Sequence, residues 1–214
     1  MQNIKNGVYL ISKPSGVDFD TLESLAATGM INLFQLRLKN ISVKDIILQG
    51  VECKKILAKY SIPLIINDNY EIYKKLDADG LHLGQGDIKA DITRDFNLQN
   101  ELSQGKIVGF SCYNDLNLAI SHAKQGASYV SFGAMFKTKT KQGTKSAPQD
   151  IILQYTQLAK ALKLNCKVCA IGGITNRNVS RIIGYGLNYA SVVSYINNAS
   201  QPIKALKKIA AKFS

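Results

Sequence analysis

Several apolar runs in this chain end in residues that could do chemistry. "LFQLRLK" sets Gln35, Arg37 and Lys39 at alternate positions, "LIIND" ends in Asn67 and Asp68, and "GLHLGQGD" runs through His82 and Gln85 to Asp87. Further on, "KIVGFS" closes on Ser111, and "GAMFKTKTKQG" carries Thr138, Lys139, Thr140 and Lys141. "AIGGIT" holds Gly172 and Gly173, and "ASVVS" ends in Val193 and Ser194. Alternate residues of a strand share a face, so Gln35, Arg37 and Lys39 are expected on one side. Arg37, Lys39 and Lys141 supply fixed positive charge for phosphate oxygens. Asp68 and Asp87 are hard oxygen donors suited to Mg²⁺, which binds through a few carboxylates plus substrate phosphates. The glycine turn and the "VVS" turn suit a phosphate cradle. Two anion sites with a metal beside one imply two phosphorylated substrates, one of them a diphosphate.

Each piece has an ordinary reading as well. "IGGI" serves wherever a strand meets its neighbours closely. Lys39, Lys137, Lys139 and Lys141 could be solvated loop charges, Ser111 could cap a helix starting near Asn114, and His82 could be a hydrogen-bonded core histidine. Asp77 and Asp79, just before "GLHL", read as turn residues at the other end of that strand. The functional reading rests on the joint placement of the others.

That placement depends on the elements. Candidate strands are 8–12, 33–38, 64–68, 80–83, 106–111, 129–133, 167–173 and 190–194. Between them lie stretches of helical periodicity such as 42–60 and 150–164, and 203–213 reads as a closing amphipathic helix. Strands alternating with helices imply parallel crossovers. Eight of them in 214 residues predict an α/β fold, a (β/α)8 TIM barrel, as one domain over 1–214. An open doubly wound sheet lacks its GxGxxG after the first strand. In such a barrel all strands point their carboxyl ends at one face, so Asp68, ending the third strand, and Asp87, after the fourth, fall close enough to share a cation.

Composition narrows the classes. Apolar residues at 46% and charged residues at 20% suit a globular core rather than disorder. No apolar run reaches the roughly 18 residues of a membrane span, and the first residues lack a secretory pattern, so a cytoplasmic location is expected. The net charge of +12 raises nucleic acid as a partner. The excess is nearly all lysine spread over helical stretches, without an aromatic-basic motif, which argues for solvated faces and against nucleic-acid binding. Cys166 and Cys169 form a lone CxxC beside a strand; their offset points them to opposite faces, so buried thiols are expected rather than zinc.

The motifs "QLRLK", "IIND", "ADGLHLGQGD", "GFS", "FGAMFKTKTK", "AIGGI" and "VVS", in this order and spacing, resemble those of the thiamine-phosphate synthase (thiamine-phosphate pyrophosphorylase) family along essentially the whole chain. The resemblance implies a transferase joining hydroxymethylpyrimidine diphosphate to thiazole phosphate with release of pyrophosphate. It implies that Gln35, Leu36, Arg37, Leu38, Lys39, Asn67, Ser111 and Lys141 hold the pyrimidine diphosphate, with Arg37, Lys141 and Ser111 catalytic. It implies Mg²⁺ on Asp68 and Asp87, and thiazole phosphate at Thr138, Lys139, Thr140, Gly173, Val193 and Ser194. It also suggests a homodimer. Ala134 stands where the family often carries Pro, and Tyr113 where His is common. Rival readings are a thiazole tautomerase-like relative, a sugar-phosphate epimerase and a non-catalytic basic nucleic-acid-binding protein. The last predicts salt-sensitive retention surviving Asp68→Ala, whereas the enzyme predicts Mg²⁺-dependent turnover that the change destroys.

Overall fold

The computed structural model describes residues 5–84, 96–137 and 147–213. Eight parallel strands close on themselves in sequence order: β1 (Gly7–Ile11), β2 (Ile31–Leu36), β3 (Leu64–Asn67), β4 (Gly80–Leu83), β5 (Ile107–Tyr113), β6 (Tyr129–Phe132), β7 (Lys167–Ile171) and β8 (Tyr189–Val192). β8 pairs with β1 from Gly7↔Tyr189 to Leu10↔Val192, which completes the barrel. The described helices are α1 (Phe19–Ala26), α2 (Val43–Lys59), α3 (Tyr70–Leu76), α4 (Leu98–Ser103), α5 (Leu116–Lys124), α6 (Ile151–Ala161), α7 (Ser180–Ile183), α8 (Ser194–Asn197) and α9 (Pro202–Ala210). No described helix is long and apolar enough to cross a membrane.

The strands read as nearly continuous apolar runs because both faces are buried. Val8, Leu10, Phe34, Leu36, Ile66 and Val130 face the helices in one large core. Tyr9, Leu33, Ile65, Ile107, Tyr129, Cys169 and Tyr189 fill the barrel itself. Cys166 belongs to the outer core and Cys169 to the inner, as their offset requires, and all four thiols are free and buried.

Side-chain caps turn strands into helices at the carboxyl rim. Asp18, Ser42, Asn69, Asn97 and Asp115 each accept a hydrogen bond from the backbone N–H three residues on, opening α1 to α5. Each such cap contributes about 1 kcal/mol. Asp115 therefore opens α5, and Ser111 is left for another purpose. At the opposite end, Asp79 Oδ2 accepts from the Leu64 N–H at 2.8 Å, and Asp77 meets Lys106 at 2.6 Å. Both are turn residues.

Every carboxyl end but that of β4 shifts by one or two residues from the sequence expectation, and at β2 and β7 the cause is visible. β2 leaves the sheet at Leu36, because the Arg37 N–H donates to Ser12 Oγ at 2.8 Å. Alternation therefore places only Gln35 inside, while Arg37 and Lys39 belong to the loop. β7 stops at Ile171, since Gly172 and Gly173 have φ of +99° and +65°, values foreign to a strand.

Candidate active site

The carboxyl rim begins with Gln35, which is 2% exposed and turns its amide into the barrel, donating from Nε2 to the Tyr9 hydroxyl at 2.7 Å. Leu36 packs outward into the helix-facing core, so only its backbone is available at the rim. Arg37 is half-buried, Leu38 packs partly against the same core, and Lys39 is exposed, its N–H donating to the Pro14 carbonyl at 2.9 Å.

The three residues after β3's apolar run divide the labour. Asn67 ends the strand, Asp68 takes φ of +64°, and Asn69 caps α3. The Asp68 N–H donates to the His82 carbonyl at 2.8 Å, and Asn67 Nδ2 donates to Asp68 Oδ2 at 2.5 Å. The backbone is thus pinned to β4 and the carboxylate to its neighbour's amide, at a half-buried rim position. Asp87 lies outside the described residues, and so do Gln85, Thr138, Lys139, Thr140 and Lys141.

His82 is placed as the hydrogen-bonded core histidine that one reading expected. It is 8% exposed, with Nδ1 2.9 Å from the Tyr129 hydroxyl and Nε2 2.9 Å from Ser111 Oγ. It is a bonded core histidine that supports a rim serine. β5 carries a register irregularity between Ser111 and Tyr113, where Tyr113 has φ of +53°; such bulges re-aim side chains at barrel rims.

Across the rim, Gly172 and Gly173 lie beneath the loop that follows β6. Met135 N–H donates to Ile171 O and Phe136 N–H to Gly172 O, both at 3.0 Å. A Cβ on Gly173 would sit 2.6 Å from the Lys137 carbonyl, and one on Gly172 would sit 2.6 Å from Ala134 Cα. Close backbone approach explains both glycines before any ligand is considered. Val193 follows β8 as the N-cap position of α8 and Ser194 starts that helix; Asn197 Nδ2 donates to the Ile11 and Val193 carbonyls, tying that corner to β1.

Gln35, Asn67, Asp68 and Ser111 therefore lie at or within two residues of the carboxyl ends of β2, β3 and β5, and Gly173, Val193 and Ser194 follow β7 and β8 at the same end of the barrel. Tyr9 and Tyr129 are the participants that sequence reasoning missed. Their sign was a phenol at an inward position in "VYLIS" and in "YVSFG", which hydropathy counts as apolar. Burial pushes both phenols above their ordinary range, so both stay protonated. Burial likewise pushes the Cys169 thiol up to about 11. Among the described residues no group of three or more His, Cys, Asp or Glu converges on a point.

Comparison with known proteins gives these residues a context. The profile of the thiamine monophosphate synthase family matches residues 8–196. A thiamine-phosphate synthase of Picrophilus torridus is 35% identical over 209 residues, covering 97% of this chain and 96% of that protein. One of Pelagibacter ubique is 32% identical over 210 residues, covering 96% of each. Among solved structures, a thiamine phosphate pyrophosphorylase from Pyrococcus furiosus superposes with a TM-score of 0.79 at 22% identity, covering 98% of this chain and 96% of that one. A 3-hexulose-6-phosphate synthase superposes with a TM-score of 0.63 at 15% identity, covering 96% and 99%. Likeness at those identities shows the shared barrel alone, but the sequence matches span nearly the whole chain, and by them it belongs to the thiamine monophosphate synthase family, a family of transferases.

Proposed function

We propose that this protein joins hydroxymethylpyrimidine diphosphate to thiazole phosphate, giving thiamine phosphate and pyrophosphate in the cytoplasm. The C–O bond between the pyrimidine's exocyclic methylene and the diphosphate breaks, and its electron pair leaves on the diphosphate. The thiazole nitrogen contributes its lone pair to the new C–N bond. The aminopyrimidine stabilises positive charge at the methylene, so the protein supplies no nucleophile. Its tasks are to neutralise the leaving group, exclude water and aim the nitrogen.

Arg37, Lys39 and Lys141 balance the diphosphate charge, Asn67 and Ser111 donate to its oxygens, and Gln35 with the backbone of Leu36 and Leu38 lines the pyrimidine side. Thr138, Lys139, Thr140, Gly173, Val193 and Ser194 receive the thiazole phosphate. The donor chemistry at Asp68, a half-buried carboxylate with an amide beside it, fits a hard cation that keeps waters and takes its remaining ligands from phosphate. Asp68 and Asp87 would hold Mg²⁺, which would supply charge neutralisation for the departing diphosphate. A homodimer is the assembly this family membership suggests.

The observation that carries the reading is the family match over residues 8–196, supported by the rim set at the ends of β2, β3 and β5. The test is pyrophosphate release and thiamine phosphate formation by purified protein, with and without Mg²⁺, beside Asp68→Ala. Mg²⁺-dependent product lost in the variant supports the proposal. Folded wild-type protein that forms no product overturns it and directs attention to thiazole tautomerisation.

A further inference from the structure

A buried hydrogen-bonded chain crosses the barrel just below the rim and joins two of the residues assigned above to substrate. Gln35 Nε2 donates to the Tyr9 hydroxyl at 2.7 Å; the Tyr9 and Tyr129 hydroxyls lie 2.8 Å apart. Tyr129 continues to His82 Nδ1 and His82 Nε2 to Ser111 Oγ, each at 2.9 Å. The chain therefore runs from β2 through β1, β6 and β4 to β5. Gly109 makes the last part possible. It pairs with His82 on one side and Tyr129 on the other, and its missing side chain lets the Tyr129 ring cross β5 and stack on His82 at 5.6 Å and 14°.

Counting protons gives the chain a direction. Each phenol carries one proton, and a neutral imidazole carries one. Tyr9 oxygen accepts from Gln35, and the Tyr129 oxygen, 2.8 Å away, can accept the buried Tyr9 proton, so the proton is assigned there. The Tyr129 proton then goes to His82 Nδ1. With Nδ1 accepting, the imidazole proton sits on Nε2 and donates to Ser111 Oγ. The serine's own proton must point elsewhere. The opposite direction would need the Gln35 carbonyl oxygen turned to Tyr9, and would leave Ser111 presenting lone pairs to an anion.

We infer that Tyr9, Tyr129 and His82 are positioning residues, which hold His82 as its Nε2–H tautomer and turn the Ser111 hydroxyl proton outward to an oxyanion of the substrate. This rests on the proposed role of Ser111 at the diphosphate. Neither phenol nor imidazole touches substrate in this scheme; each acts through the next, and the whole series is set by the orientation of one amide at the far side of the barrel.

The chain has only two histidines, His82 and His122, so side-chain ¹⁵N spectra assigned with His82→Gln report the tautomer directly. Nδ1 unprotonated and Nε2 protonated at His82 is the expected result; a protonated Nδ1 overturns the inference. In steady-state assays Tyr129→Phe lowers kcat/KM for the pyrimidine diphosphate about tenfold, the worth of about one well-made hydrogen bond. The control is Tyr155→Phe, which deletes an equally buried phenol bonded to the Cys166 carbonyl outside the barrel and leaves kcat/KM unchanged. On a Ser111→Ala background, Tyr129→Phe removes less than about twofold more, since both act through one bond. Full additivity, or equal losses in the two phenol variants, overturns the inference. Should wild-type protein form no thiamine phosphate, the synthase reading fails while the tautomer still decides the direction of the chain.

Discussion

Gly109→Ala tests how tightly the barrel interior is built. A Cβ on Gly109 would lie 2.0 Å from Tyr129 Cζ and 2.3 and 2.4 Å from its two Cε atoms, which is inside the ring rather than against it. Tyr129 is 1% exposed and edge-on to Tyr9 at 5.7 Å, so it has no free space to enter. Overpacking of this kind costs about 1–3 kcal/mol. Displacing the ring also breaks its hydrogen bonds to Tyr9 and His82, at about 1 kcal/mol each. The sum is about 3–5 kcal/mol. With a urea m-value of about 3 kcal/mol/M, the unfolding midpoint falls by about 1–1.7 M. Gly184→Ala is the control, since Gly184 has φ of −60° and nothing within 4 Å of an added Cβ; its midpoint holds or rises slightly. Denaturation followed by circular dichroism at unchanged m decides the matter. A Gly109→Ala midpoint within about 0.3 M of wild type would refute the argument, because it would mean the ring and its chain of bonds can be moved at no cost.

Three further outcomes are expected. Asp68→Asn keeps the rim's shape but removes its charge, and lowers Mg²⁺-dependent turnover at least about 100-fold; stopped pyrophosphate-release assays with matched melting curves check it. His122, whose ring lies flat on Phe110 with centroids 4.1 Å apart, has its pKa pulled below the ordinary 6.5 by burial. The unfolded chain therefore binds its proton more tightly, so the stability contribution is full above pH 6.5 and is lost as pH falls below it; urea midpoints from pH 8 to 5 should fall, and His122→Phe should flatten part of that slope. The four free cysteines are buried, and burial pushes Cys53 and Cys112 up to about 12, so a thiol reagent should find no rapidly reacting group until denaturant is added.

The barrel was legible because period and count agreed: "GLHL" is β4 to the residue, and 42–60 contains α2 with one residue to spare at each end. At β2 and β7 the boundary shifted where a side chain or a glycine took over from the ladder. Ser12 captures the Arg37 N–H and draws the chain off β2, and the left-handed pair Gly172–Gly173 ends β7. The site was legible as a list of polar strand ends but not as a connected object. Nothing in the spacing of Tyr9, His82, Gly109 and Tyr129 says that they meet, because their meeting depends on the stagger of four strands. Gly109 looked like part of a motif, whereas its role is the volume it leaves to a ring on the next strand.

Closure of the barrel also has a timetable. β1 needs β8 as its second neighbour, and the pairing Gly7↔Tyr189 joins residues roughly 180 positions apart. At about 5–20 residues per second of synthesis, the first strand leaves the ribosome about 10–35 s before its last partner exists. For that interval one edge of β1 offers unpaired N–H and C=O groups to any strand nearby. A nascent chain of this protein is consequently exposed to mispairing along β1, and release from that hazard comes only when β8 has been made.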